Sequence, residues 1–216
     1  MRKKRMRLIK DGNRALMSVL LVGFVFLNSM SFAASDNNPW KKSFSLEQNK
    51  HYLDAAKVLE PMLNTTPKNE FLLLRLGWLY YLQTEYNTSI SYYKKALELN
   101  SDSIDARLGL TLPLLAQQRW KEAALYAKEV IKISAWDYNA NVRLMTSESA
   151  LLQWEILEPH AAEMAKRYPS DPTVYIFLAR AQAWQGKKTL AIKNYQLVLE
   201  RSPDNQEALD YLKKHQ

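Results

Sequence analysis

The chain contains no cysteine. That excludes disulfides, cysteine metal sites, a thiol nucleophile and a lipid-modified cysteine at a processed N-terminus. Glycine and proline are also scarce, 5 and 8 among 216 residues, too few for the many turns of an all-β or doubly wound fold. Basic charge is concentrated at one end. Residues 1–33 hold seven of the 30 Lys and Arg residues and one of the 22 acids, so the remainder has 23 bases and 21 acids, a net of +2. The overall charge of +8 therefore gives little support to nucleic-acid binding. No catalytic constellation is visible. The histidines, His51, His160 and His215, lie in different segments, none with metal-ligand spacing. The run Gly186-Lys187-Lys188-Thr189 lacks the upstream glycine and the preceding strand of a phosphate loop. These absences predict no metal, no cofactor and no enzymatic activity.

Long apolar runs are missing as well, apart from Ala15–Leu27 near the start. That run follows the basic stretch Met1–Arg14 and precedes Asn28–Ala33, in which Ser31 and Ala33 form a small-residue pair. Residues 1–33 thus read as a secretory signal, with cleavage expected after Ala33 or Ala34. The alternative is an uncleaved anchor in the inner membrane, for which thirteen apolar residues are short of the roughly 20 of a spanning helix. Either reading carries residues 34–216 across a membrane, most naturally into a bacterial periplasm.

What the chain does have is a helical period. Between Asn69 and Asp102, two apolar-periodic segments, Phe71–Leu82 and Ile90–Leu99, flank a polar turn at Gln83–Asn87. Small residues at Gly77, Ser89 and Ala96 mark where two helices would approach closely. This stretch resembles a tetratricopeptide repeat, a helix–turn–helix unit of 34 residues. Leu73, Leu76, Gly77 and Tyr80 match the pattern of its first helix. Ser89, Tyr93 and Ala96 match the second, and Ser101 stands where the family has proline.

The period recurs, giving repeats at 36–69, 70–103, 104–137, 138–171 and 172–205, with a capping helix at 206–216. Pro61 should kink the second helix of the first repeat or end it early, and Pro113 should bend the first helix of the third. The fourth repeat diverges most. Thr111 replaces the family glycine in the third, while in the fourth Glu148 replaces a core aromatic and Leu157 a small residue. Pro159 is expected in the first turn of a second helix, behind a displaced turn at Leu152–Ile156. The resemblance implies an all-α solenoid of stacked antiparallel hairpins, a right-handed superhelix whose concave side is lined by the first helix of each repeat.

Function follows from that lining. The first-helix positions that the family leaves variable are Phe71, Leu74, Arg75, Trp78 and Tyr81 in the second repeat, and Leu108, Leu112 and Leu115 in the third. They are Asn139, Arg143 and Thr146 in the fourth, and Thr173, Arg180 and Trp184 in the fifth. An apolar N-terminal half and a positive C-terminal half predict a ligand with an apolar and an acidic segment. Arg143 and Arg180 are expected to face solvent. The segment 34–45, with Trp40 and Phe44, is an internal candidate for covering the apolar half. Leu74 and Trp78 occupy the positions at which family members that grip acidic chaperone tails place a Lys/Asn clamp, so that specificity is not expected. The expected function is a periplasmic scaffold for a peptide or partner protein, without nucleic acid. The membrane enters only through the N-terminal segment. The alternative is a self-associating solenoid, a homo-oligomer whose groove packs on its own copy.

Overall fold

The computed structural model describes residues 38–215, so the proposed signal segment lies outside the described residues. Twelve helices and no strand occur among them. They are α1 (Pro39–Gln48), α2 (Tyr52–Leu59), α3 (Met62–Thr65), α4 (Glu70–Leu82), α5 (Tyr86–Leu99), α6 (Ile104–Ala116), α7 (Trp120–Ile133), α8 (Tyr138–Ala150), α9 (Trp154–Arg167), α10 (Pro172–Trp184), α11 (Lys188–Arg201) and α12 (Gln206–His215). The first helices α4, α6, α8, α10 and α12 begin 34 residues apart, and so do the second helices α5, α7, α9 and α11. Each hairpin stacks on the next, which is an α-solenoid.

The period is written into the chain at two kinds of position. Asn69, Ser103, Asp137 and Asp171 each accept a backbone N–H of the first helix that follows, and Asn205 does so for α12. Each satisfies a donor that has no partner within the helix, an effect of about 0.5–2 kcal/mol. The second kind is the turn inside each hairpin. Lys50, Thr84, Gln118, Leu152 and Gly186 all have φ between 57° and 73°. The amide after each reaches back five residues, as Glu85 N to Tyr80 O at 2.9 Å and Gln153 N to Glu148 O at 2.9 Å. That closes the Schellman pattern. Only Gly186 adopts this left-handed conformation freely; the other four each carry a steric cost of about 1–2 kcal/mol.

The prolines act in three ways. Pro61 ends α2 at Leu59 and restarts the chain as the short α3. Pro113 lies inside α6, which runs on to Ala116. Pro159 departs from expectation: it is the sixth residue of α9, not part of its first turn, and the turn before α9 is not displaced. The left-handed turn at Leu152 fixes where α9 starts, and Pro159 is exposed, so water can take up the carbonyl it leaves free.

Packing within a hairpin depends on matched positions. In α4, Leu72, Leu76 and Leu79 are fully buried against α2, each contributing about 1.5–3 kcal/mol. The Tyr93 ring of α5 lies against both Gly77 and Gly109. A Cβ would stand 3.0 Å from that ring at Gly77, and 2.1 Å from it at Gly109. Ser89 Oγ donates to the Gly77 carbonyl at 2.7 Å. Gly77 thus sits at the close crossing, but the tighter contact belongs to Gly109 on the next repeat.

Candidate functional site

The first helices α4 and α6 frame a pocket of about 240 Å³ lined by Phe71, Leu74, Arg75, Trp78, Tyr93 and Asp105. Its size suits one side chain rather than a drug-sized cofactor. Phe71 is 54% exposed. Helix α1 supplies one flank. The Trp40 ring lies 5.2 Å from that of Phe71, and the Arg75 guanidinium sits 3.9 Å over the Phe44 ring. Trp78 Nε1 donates to Glu47 at 2.6 Å, and Arg75 forms an ion pair with the other oxygen of Glu47. Burial opposes the charge on Glu47, but bonds from Arg75 and Trp78 and the Arg75 charge outweigh it and hold its carboxyl below the ordinary range. The aromatic residues of α1 therefore do pack on α4, yet they leave the pocket open.

Arg75, expected on an open groove, is buried, because α1 covers it. Trp78 is half-buried, and its ring lies 5.6 Å from Tyr81. Leu108, Leu112 and Leu115 are half-buried on α6, and Leu115 packs onto the cluster around Tyr93.

The positive half is where expectation and structure part. Arg143 does not face solvent. Its Nη1 donates to the Leu108 carbonyl at 2.5 Å and to Thr111 Oγ1 at 2.8 Å, and burial pulls its guanidinium below the ordinary value. Arg180 is paired through Nε and Nη2 with both oxygens of Glu207, at 3.0 and 2.5 Å, and its Nη1 reaches Ser149 Oγ at 3.2 Å. Both arginines tie one repeat to the next, so neither is a free fork for a ligand carboxylate. Asn139 is exposed, Thr146 donates to the Val142 carbonyl at 2.8 Å, and the Thr173 amide is held by the Asp171 cap. Trp184 is 67% exposed and stacks parallel on Trp154, centroids 5.4 Å apart.

Three residues of this region escaped the sequence reading: Glu47, Tyr93 as a pocket wall, and Asp105. The repeat itself marks Asp105, since it stands on α6 where Glu207 stands on α12.

Comparison with known proteins agrees with the geometry. A tetratricopeptide-repeat family model matches residues 72–103, which are most of α4 and all of α5. The described residues have the fold of a tetratricopeptide-repeat solenoid. YrrB, described as a TPR protein with an unusual peptide-binding site, shares 17% identity at a TM-score of 0.64, over 74% of this chain and 86% of that one. A fragment of MamA from Desulfovibrio magneticus aligns at a TM-score of 0.71 and 15% identity, over 78% of this chain and 95% of its own. A thermophilic TPR protein of Thermus thermophilus aligns at 0.59 and 15%, over 82% and 97%. No curated protein matches by sequence. These likenesses speak for the fold.

Proposed function

We propose that this tetratricopeptide-repeat protein is a non-enzymatic scaffold, exported to the bacterial envelope, that holds a peptide or partner segment against α4 and α6. The carrying observation is the open pocket beside the exposed Phe71 ring, with apolar walls from Leu74 and Trp78. An exposed aromatic flanked by a pocket is the kind of anchor that dominates interface energies. The basic N-terminal stretch, the short apolar run and Ser31-Phe32-Ala33 support export, with a mature start at Ala34 or Ser35.

Two measurements test this. Phe71→Ala should weaken partner binding by about 1–2 kcal/mol, roughly tenfold, with little loss of stability, since more than half of that residue is exposed. Trp78→Ala should weaken it as much but also cost stability, because it removes the bond to Glu47. Unchanged affinity in both variants would refute the groove. N-terminal sequencing of protein from its native compartment tests export; an intact Met1 in the membrane fraction would favour the anchored form. A second reading, self-association, is favoured by exposed Leu152, Ile156 and Trp184 in the fourth and fifth hairpins, and light scattering separates it from a monomeric scaffold.

A further inference from the structure

The solenoid contains two versions of one constellation, three repeats apart. In the C-terminal version, Glu207 accepts both forks of Arg180 and the Tyr195 hydroxyl, the latter at 2.8 Å. Burial opposes the Glu207 charge, and the bonds from Arg180 and Tyr195 outweigh it and keep its carboxyl below the ordinary range. The corresponding residues of the N-terminal version are Trp78, Tyr93 and Asp105, and all three line the pocket between α4 and α6. Here the arginine is missing. Trp78 stands where Arg180 would stand, and its N–H is directed to Glu47.

Three polar groups of the lining are left without hydrogen-bond partners among the described residues: the buried Arg75 Nε–H, Asp105 and the Tyr93 hydroxyl. Asp105 is exposed and takes part in no hydrogen bond or ion pair among the described residues, and the Tyr93 hydroxyl has no hydrogen-bond partner although the residue is only 4% exposed. Arg75 pairs with Glu47, and Arg143, which does not line the pocket, is held by the neutral Leu108 carbonyl and Thr111 hydroxyl. Asp105 is thus the charged side chain of the lining that has no ion-pair partner among the described residues.

We propose that the pocket takes an arginine side chain of the partner, flanked by apolar residues, whose guanidinium pairs with Asp105 as Arg180 pairs with Glu207. The proposal rests on the groove reading above and reverses the sign of the ligand expected from the sequence. The planar fork suits a carboxylate, the Tyr93 oxygen accepts a further N–H, and the Trp78 face suits a stacked cation.

The test begins by panning a phage-displayed library of random nonapeptides on the full chain. Enrichment of peptides with arginine beside apolar residues is the expected result. One such peptide, and its copy with arginine replaced by glutamine, are then measured by fluorescence anisotropy on wild type and Asp105→Asn. Asp105 is exposed and makes no hydrogen bond, so the variant should fold as wild type does by circular dichroism. Wild type should prefer the arginine peptide by about tenfold, the scale of a charge-assisted bidentate pair, and Asp105→Asn should lose that preference. Enrichment of acidic or uncharged peptides, or a preference that survives Asp105→Asn, overturns the proposal. If such peptides still lose affinity with Phe71→Ala, the groove reading stands. If no peptide is enriched, both fall together.

Discussion

The second and fourth hairpins hold the same place in the repeat and are built from opposite materials. In the second, α4 and α5 cross over small residues, Gly77 and Ser89, and the next matched pair is a stack of Tyr80 on Tyr92, centroids 5.4 Å apart. In the fourth, the crossing residues are Met145 and Leu157, both fully buried. The next pair is Glu148 with His160, at 2.8 Å. The larger crossing pair sets α8 and α9 less close together than the helices of the other hairpins, and the wider gap accepts a polar network. Asn141 completes it. Its amide nitrogen donates to the Ala135 and Asp137 carbonyls, which turns its oxygen to His160 Nε2 at 3.0 Å. Both ring nitrogens of His160 are therefore engaged, one by Glu148 and one by Asn141. The fifth hairpin fills the same two positions with Gln182 and Asn194, hydrogen-bonded at 2.7 Å. What the repeat preserves is complementarity across the hairpin, not residue type.

The difference can be broken from both sides. The fourth hairpin should fail when volume is removed. Leu157→Ala should cost about 2–5 kcal/mol through transfer loss and a cavity, read from denaturant unfolding. The second should fail when volume is added around its Tyr93 ring, at Gly77 or at Gly109 on the hairpin that follows. Gly109→Leu should cost about 3 kcal/mol and Gly77→Leu about 1–3 kcal/mol, because the added carbons meet the Tyr93 ring. A variant at Gly109 as stable as wild type would show that Tyr93 can move aside.

The polar network offers a finer test. Glu148→Ala or His160→Ala should each cost about 1–3 kcal/mol, since each leaves a buried polar group without its partner. Glu148→Gln combined with His160→Asn copies the fifth hairpin and should recover part of that loss. A double-mutant cycle with coupling below about 0.5 kcal/mol would mean that the pair contributes little.

The turns predict a small gain. Leu152 and Thr84 have φ of 57° and 63°. Replacing either with glycine should stabilise by about 0.5–1 kcal/mol, the strain relieved less the extra freedom of the unfolded chain.

Acid should act least and most diffusely. The carboxyls of Glu47 and Glu207 are held low by their partners. Their contribution is present above the ordinary carboxylate value of about 4.3 and is lost as pH falls through their lower folded values. Glu47→Gln should flatten the fall of the thermal midpoint with acidification, which a pH series of melts would read.

Much of this architecture was legible because local chemistry repeats. The capping residues recur one repeat apart, and an isolated chain segment with a cap and a 3.6-residue apolar stripe already specifies a first helix. The second helices carry no side-chain cap, so their starts were less marked, and Pro159 drew the expected start of α9 away from Trp154. Gly109 lies off the family pattern, whose glycine position falls at Thr111 in this repeat. A glycine in the interior of an apolar helix costs about 1 kcal/mol, and that cost was the overlooked sign of a close contact. The site was less legible. Arg143 and Arg180 read as free because their partners, Leu108 and Glu207, lie a repeat away in the chain. Asp105 carries no signal of its own in the sequence; its counterpart Glu207, three repeats on, is what marks it.

The comparison also locates function. The second hairpin presents an exposed aromatic and an open pocket, whereas the arginines of the fourth and fifth are engaged within the solenoid. Amide chemical-shift mapping of the full chain during titration with a selected nonapeptide tests this most directly. The account predicts that the perturbed amides cluster on α4 and the N-terminal half of α6, around Phe71, Trp78 and Asp105. Perturbations centred instead on Asn139, Thr146 and Arg180 would contradict it.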